Sequence, residues 1–219
     1  MEITYIGHSC FKIKGKFTTV ITDPYDPSAL GYKLPKLSGD IVLVSHQHED
    51  HNYTSGVSDY KMVIDTPGEY EVSGVFVSAH QTYHDAKNGT ERGKNTIYQI
   101  EIDGFNILHL GDLGHELSKE TLEKLPTIDV LLIPVGGSYT MDAKVAAKVT
   151  HDIEPAFTIP MHYQTEDLTK LPQKLDGVEK FLGEMGYEDK DTTKMDSLKL
   201  SSRSDVPEET DLVILLPQH

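Results

Sequence analysis

The chain has 219 residues, 37% hydrophobic and 25% charged, the balance of a soluble globular protein long enough for a full core in one domain spanning residues 1–219. Its formal charge is −15, and protonating all eleven histidines would still leave it negative, so the basic footprint that a nucleic-acid binder needs is missing. No apolar run approaches bilayer length, no secretory signal opens the chain, and a single Cys10 excludes an intrachain disulfide, which together point to the cytoplasm and to a small-molecule substrate.

In chain order, Glu2–Ile6, Ser9–Ile13 and Phe17–Thr22 alternate apolar and polar residues around Gly7-His8 and Gly15-Lys16, the pattern of an antiparallel meander. Cys10 falls within it as a small buried residue. Asp23-Pro24-Tyr25-Asp26-Pro27 ends the third strand, because each proline removes a ladder donor, and residues 28–38 read as a polar loop. Ile41–Val44 is an unbroken apolar run rich in β-branched residues, a strand buried on both faces.

That strand runs into Ser45-His46-Gln47-His48-Glu49-Asp50-His51-Asn52. Residues two apart in an extended chain point the same way, so His46 and His48 can aim both imidazoles at one point. After a turn, Asp50 and His51 can face a second point beside it. Imidazole and carboxylate are the donors of zinc, iron and manganese sites.

Beyond the motif, residues 52–60 have room for a short helix, and Lys61–Asp65, Glu71–Val72 and Val75–Ala79 read as strands. Tyr83-His84-Asp85 precedes a flexible polar stretch, residues 86–95. Thr96–Ile102 and Phe105–Leu110 flank Asp103-Gly104, a strong hairpin signal, and lead into Gly111-Asp112. Ser118 can cap a helix to about Leu125, Asp129–Pro134 is a buried strand, and Asp142–Val149 carries an apolar helical stripe. Ala156–Ile159 is a short strand ending in Pro160-Met161-His162-Tyr163, followed by a helix over Lys174–Met185 and late strands at Ser197–Ser201 and Asp211–Leu216. Strands dominate the first half, and helices alternate with strands in the second, which suggests two facing sheets between helical layers.

His-x-His-x-Asp-His after an apolar strand resembles the signature of the metallo-β-lactamase-fold hydrolases. The likeness runs from Thr4 to about Thr165. Gly111-Asp112, Pro134-Val135-Gly136-Gly137 and Met161-His162-Tyr163 are similar to the small-hydrolase subgroup that contains ascorbate-6-phosphate lactonase. The resemblance implies an α+β, four-layer αββα sandwich and two divalent metal ions, with Zn2+ expected first and Mn2+, Fe2+ or Ni2+ tolerated by the same donors. It assigns His46, His48 and His84 to one metal, Asp50, His51 and His162 to the other, and Asp112 as the bridge. Two metals roughly 3.5–4 Å apart need such an anionic bridge, and water held between them can lose a proton at a pKa of about 7, giving a hydroxide nucleophile. Oxygen-reducing diiron relatives carry Glu where this chain has His48, which favours hydrolysis.

Other residues are less defined. His8, with Asp50 and Asp112, is a candidate for the catalytic step, as a substrate or proton-transfer group; its alternative is a hydrogen-bonded turn residue. Asp23 is expected to orient a metal-bound histidine or simply to form a turn, and His80 competes weakly with His84. His115 is either a rim residue or a helix-start residue, His109 is expected in the core or behind the ligands, and His151 and His219 on the surface. The function expected is dinuclear metal-dependent hydrolysis of a small anionic ester, lactone or phosphoester. The rivals are a phosphodiesterase or nuclease of the same fold and a non-catalytic metal-binding regulator. No membrane or nucleic-acid partner is expected, self-association into a homo-oligomer stays open, and the pocket should be shaped by loops 24–38, 86–95 and 136–141.

Overall fold

The computed structural model describes residues 1–187 and 192–219. A six-stranded sheet contains β1 (Glu2–Gly7), β2 (Cys10–Lys14), β3 (Thr19–Thr22), β5 (Ile41–Leu43), β7 (Met62–Ile64) and β15 (Ser197–Lys199), in the order β15-β1-β2-β3-β5-β7. Facing it is an eight-stranded sheet of β8 (Gly68–Val72), β9 (Val75–Tyr83), β10 (Lys94–Ile102), β11 (Phe105–His109), β12 (Val130–Pro134), β13 (Phe157–Met161), β14 (Thr193–Met195) and β16 (Asp211–Leu215). Its order is β14-β16-β13-β12-β11-β10-β9-β8. The short strands β4 (Leu37–Ser38) and β6 (Val57–Ser58) pair separately, and the helices are α1 (Pro27–Leu30), α2 (Lys119–Lys124), α3 (Ala143–Ile153) and α4 (Val178–Glu184). This is the αββα sandwich of the metallo-β-lactamase fold.

The unbroken apolar run of the motif strand is explained by its two neighbours. Ile41 and Leu43 belong to the core between the sheets, together with Val77, Ile100, Ile107 and Val130. Val42 and Val44 face the other way, into a second cluster with Tyr25 and Leu30 near α1 and with Leu168 and Leu175. Side chains alternate along a strand, so only a strand covered on both faces can be apolar at every position.

Strand direction decides where function can sit. β3 and β5 run parallel, and β1 is antiparallel to β2, which is antiparallel to β3, so all three end on the same edge. In the facing sheet β11, β12 and β13 are mutually parallel, and β9 shares their direction through antiparallel β10. The carboxyl ends of β1, β3, β5, β9, β11 and β13 lead directly to His8, Asp23, the motif, His84, Asp112 and His162. In open sheets that edge is where ligands bind.

Several expected boundaries move. The 28–38 loop contains one helical turn, α1, because Asp26 accepts from the Ser28 N–H and Pro27 presets the first helical φ. The helix expected at residues 52–60 is only a 3₁₀ turn at Thr54–Gly56 followed by β6. β8 begins at Gly68 and β9 runs on to Tyr83. The polar stretch before β10 is shorter than expected, since Asn95 lies inside β10 and is fully buried. The helix over Lys174–Met185 shrinks to α4, α3 extends to Ile153, and β14 was not foreseen. The Asp103-Gly104 hairpin forms as expected, with both residues at positive φ, and Ser118 caps α2.

Gly111 sits between β11 and Asp112 at φ +53, where a Cβ would lie 2.5 Å from Asn95 Oδ1 and 2.6 Å from Ser45 Cβ. Gly104, at φ +80, has nothing within 4 Å of that position. Both glycine-to-alanine changes incur the cost of the left-handed backbone, about 1 kcal/mol, but only Gly111→Ala adds a collision. Thermal unfolding should therefore show a loss of roughly 5 °C or more for Gly111→Ala and clearly less for Gly104→Ala. Equal losses would mean that the close approach at Gly111 does not matter.

Candidate metal centre

The site is built outward from Asp23. Its backbone N–H donates to the Leu43 carbonyl (2.8 Å), which fixes it beside the motif strand. Oδ1 accepts from the Ser45 N–H (2.7 Å), and Oδ2 accepts from the Ser45 hydroxyl (2.7 Å) and from His51 Nδ1 (3.0 Å). Having given its only proton to Asp23, the Ser45 hydroxyl accepts from His46 Nδ1 (2.9 Å). One buried carboxylate thus fixes both rings through Nδ1 and turns both Nε2 atoms toward the centre. His46 Nε2 and His51 Nε2 are buried without a hydrogen-bond partner. Asp23 is therefore an orienting residue as well as the end of a strand.

Asp112, 2% exposed, is the hub. Its N–H donates to Asn95 Oδ1 (2.9 Å), and Asn95 is itself anchored on Thr82 Oγ1 and the Leu110 carbonyl. Asp112 Oδ2 lies 3.2 Å from both His84 Nε2 and His162 Nε2, 3.3 Å from His51 Nε2 and 3.9 Å from His46 Nε2, while Oδ1 is buried and unpartnered. Around this hub three groups of donor atoms converge, each within 4.8 Å internally: His46, His48 and His84; His46, His51 and Asp112; and His8, Asp50, His51 and His162.

All seven ligand positions expected from the sequence are therefore brought together, with His8 drawn in beside Asp50, His51 and His162. Orphaned imidazole nitrogens around a buried carboxylate fit divalent cations, because such atoms are costly to bury unpaired and nitrogen and carboxylate oxygen are the donors these ions take.

The protonation pattern fits as well. Burial pushes His46 well below its ordinary value and lowers His48, leaving both rings as neutral donors. Burial also lowers His8, to about 4, with His162 adding to the effect and Asp50 opposing it. His51 goes the other way: burial opposes its charge, but Asp112, Asp50 and Asp23 outweigh that and raise it well above the usual range. Burial alone would raise Asp112, yet His162 and His51 hold it well below the carboxylate range; Asp50 is likewise lowered, against burial, by His51 and His8. Cation binding at these donors is pH-dependent because it must displace protons, the one held on His51 among them.

A cavity of about 850 Å³ opens onto the centre, lined by His48, Asp50, His84, Asp112 and His162 and also by Arg92, Tyr139 and Lys170. With Ser28, Glu91 and Tyr139 among its lining, all three expected loops contribute, and the 170–172 segment joins them.

A sequence profile of the β-lactamase superfamily domain matches residues 2–162. The chain belongs to the metallo-β-lactamase superfamily, among its metal-dependent hydrolases. It is 31% identical to a UPF0173 metal-dependent hydrolase of Thermoplasma acidophilum, with 78% of this chain and 86% of the relative covered, and 32% identical to one of Thermoplasma volcanium over the same shares. A solved structure from Thermotoga maritima, named as a zinc-dependent hydrolase of this superfamily, superposes with a TM-score of 0.79 at 35% identity over 99% of both chains.

The other histidines of this hydrolase separate clearly. His80, the weak rival of His84, lines a different cavity with Pro67 and Lys124. His109 donates to the Ser9 carbonyl (3.0 Å) and accepts from the Gly111 N–H (3.1 Å), which makes it a buried brace behind the site. His115 accepts from the Tyr83 N–H (3.3 Å) and donates to the Glu116 carbonyl (2.7 Å), outside the cavity lining. His151 is exposed on α3. His219 departs from expectation: its ring is 10% exposed, packs 4.5 Å from Tyr32 and lies 3.1 Å from the Ile6 carbonyl. Asn95, Ser45 and Arg92 were missed, since polar residues in a polar stretch carry no periodic signal.

Asp85, next to His84, has a different task. Its carboxylate accepts from four backbone N–H groups, those of Lys87, Gly89, Glu91 and Arg92 (2.8–3.1 Å), and these hold it down to about 2 against burial. Asp112→Ala should therefore lower bound metal more than Asp85→Ala, measured by elemental analysis after loading and desalting. Equal loss would displace Asp112 as the hub.

His8 gives a pH prediction for the metal-free protein. Its folded value is depressed from about 6.5 to about 4, so its contribution is intact above about 6.5 and is lost as pH falls toward about 4. Urea unfolding of the metal-free chain should show stability falling between pH 7 and 4.5, and His8→Gln should flatten that slope. An unchanged slope would remove His8 from the account.

Proposed function

We propose that this hydrolase is dinuclear and acts on a small anionic ester, lactone or phosphoester. The observation that carries the reading is Asp112, whose single carboxylate lies between two histidine groups. Residues His46, His48 and His84 would hold one ion, Asp50, His51 and His162 the other, and Asp112 both. Zinc is the first choice for this nitrogen and oxygen set, and the Thermotoga maritima relative is named for zinc; Mn2+, Fe2+ and Ni2+ suit the same donors. When bound, the ions supply Lewis-acid polarisation of the scissile group and activation of water near neutral pH.

The chain's own residues do the rest. His8 is the Nε2–H tautomer, because its partner at 3.2 Å, Asp50 Oδ2, can only accept. It therefore holds Asp50 in place and keeps a proton at Nε2 beside the reacting region, with Nδ1 buried and unpartnered. Asp23 keeps His46 and His51 in their ligating orientation. With ions bound, two dications would outweigh the charges of Asp50 and Asp112, so the floor of the cavity would attract an anionic group, while the −15 surface repels long polyanions. The free buried thiol of Cys10 suits a reducing, cytoplasmic setting.

Loaded protein should carry about two metal ions per chain. Changing His46 and His48 together to Ala should empty one site and cut ester hydrolysis by more than the roughly 10–100-fold typical of losing an outer partner. Inorganic phosphate should compete with substrate, and duplex DNA should bind weakly even at low salt. Absence of any bound transition metal after loading would end this reading; tight low-salt binding and cleavage of a duplex would turn it into a nuclease.

A further inference from the structure

We propose that Arg92 is the specificity-determining residue of this site, receiving a carboxylate or phosphate group that the substrate carries in addition to the bond being cleaved. The proposal rests on the hydrolase reading and deepens it by assigning the substrate's second anionic group to a residue.

The first argument is position. Arg92 lines the 850 Å³ cavity together with His48, Asp112 and His162, and it also lines a neighbouring cavity of about 470 Å³ with His46 and His48. It therefore stands where both spaces meet the donor atoms. Asp85 puts it there, since two of the N–H groups held by that carboxylate belong to Glu91 and Arg92 itself. Its guanidinium is steadied on the opposite loop, where Nη2 donates to the Ser138 carbonyl (2.8 Å) and the charge lies 5.5 Å from the Tyr139 ring centroid.

The second argument is charge. The chain has 35 acidic and 20 basic side chains, yet among the described residues no carboxylate lies within ion-pair distance of Arg92. The comparison with Arg203 is direct, because that guanidinium is paired with Asp129 at 2.7 Å. Of the acids lining the larger cavity, Asp50 and Asp112 belong to the centre and Glu91 is taken by Lys87 at 2.5 Å, which leaves exposed Glu49. Lys170 is the other cation of the lining, but it is exposed and offers a point charge on a flexible stem. A guanidinium held by a neutral carbonyl and an aromatic face keeps most of its planar donor fork for an oxyanion.

The competing explanation is that Arg92 merely ties the 86–93 loop to the 136–141 loop. A matched ester pair separates the two. Zinc-loaded full-length protein is assayed on p-nitrophenyl hydrogen glutarate and on its methyl ester, which lacks the charge. In Arg92→Ala the ratio of kcat/KM values, anionic over neutral, should fall about tenfold, which is about 1.4 kcal/mol, mainly through KM. Arg92→Lys should retain part of the ratio, and metal content should stay at the wild-type level. Calorimetric titration of the zinc-loaded proteins with glutarate and with methyl phosphate should show about tenfold weaker binding of at least one of them by Arg92→Ala. An equal fall on both esters, an unchanged ratio, or unchanged affinity for both anions would overturn the proposal. If wild-type protein carries its metals but hydrolyses neither ester, the hydrolase reading is what fails, and the calorimetry still decides Arg92.

Discussion

A single buried carboxylate sets the terms for this structure. Asp112 is shut away from water at the end of β11, with four imidazoles within 3.9 Å of one oxygen and the other oxygen without a partner. A charge so placed costs several kcal/mol unless cations or donors surround it. The residues converging on it come from the ends of β5, β9 and β13, so the compensation exists only when both sheets are folded and in register. Stability of the site and geometry of the site are the same requirement.

The sandwich meets that requirement by stitching its sheets together at the working edge. His162 N–H donates to the His8 carbonyl (2.8 Å), which also accepts from the Tyr5 hydroxyl (2.9 Å). Thr96 N–H donates to the Ser45 carbonyl (2.9 Å), and the Tyr98 hydroxyl reaches the Val44 carbonyl (2.7 Å). His8, Asp23 and His162 all sit at positive φ, a conformation that costs of order 1–3 kcal/mol each for such residues. Bonds worth about 1 kcal/mol apiece, made by those same residues, offset the strain locally. At Gly136 even a Cβ would collide with the His162 carbonyl, so the chain beyond β12 must pass against the backbone of His162 itself.

What could be read from the sequence follows from the range of each interaction. The doubly buried motif strand and the His46, His48, Asp50, His51 cluster lie within about a dozen residues, where alternation and spacing act directly. His84, Asp112 and His162 were reached by resemblance, because nothing local marks a residue at a strand end as facing a partner a hundred positions away. Asn95 was lost because its polar neighbours suggest loop; its burial comes from Thr82 and Leu110, which long-range pairing brings to it. The helix expected at Lys174–Met185 starts late for a related reason: the Gln164 N–H donates to the Asp176 carbonyl, the Leu175 N–H to Gln164 Oε1 and the Asp176 N–H to the Gly136 carbonyl, so the backbone is held as loop until Gly177. The 86–95 stretch reads as merely flexible, yet within it four N–H groups close on Asp85, a pattern no periodicity announces.

That loop shows how specificity can be set apart from catalysis in this fold. The donors around Asp112 stand on strand ends, where sheet hydrogen bonds allow little movement. Arg92 and Tyr139 stand on loops that meet across the cavity mouth, joined by the Arg92–Ser138 bond. A change in either loop alters what reaches the centre while the register of the sheets is untouched. The electrostatics are layered in the same way. The −15 surface acts over roughly a Debye length, about 8 Å at physiological salt, and weighs most on extended polyanions. A small anion that has passed this barrier meets Arg92 at the mouth and, on the proposed reading, a net positive floor below, where fewer waters intervene and each charge counts for more. On that reading the surface screens by size and the loops by the shape and charge of the substrate's second group, while the buried carboxylate and its histidines set only the sign of charge that the floor accepts.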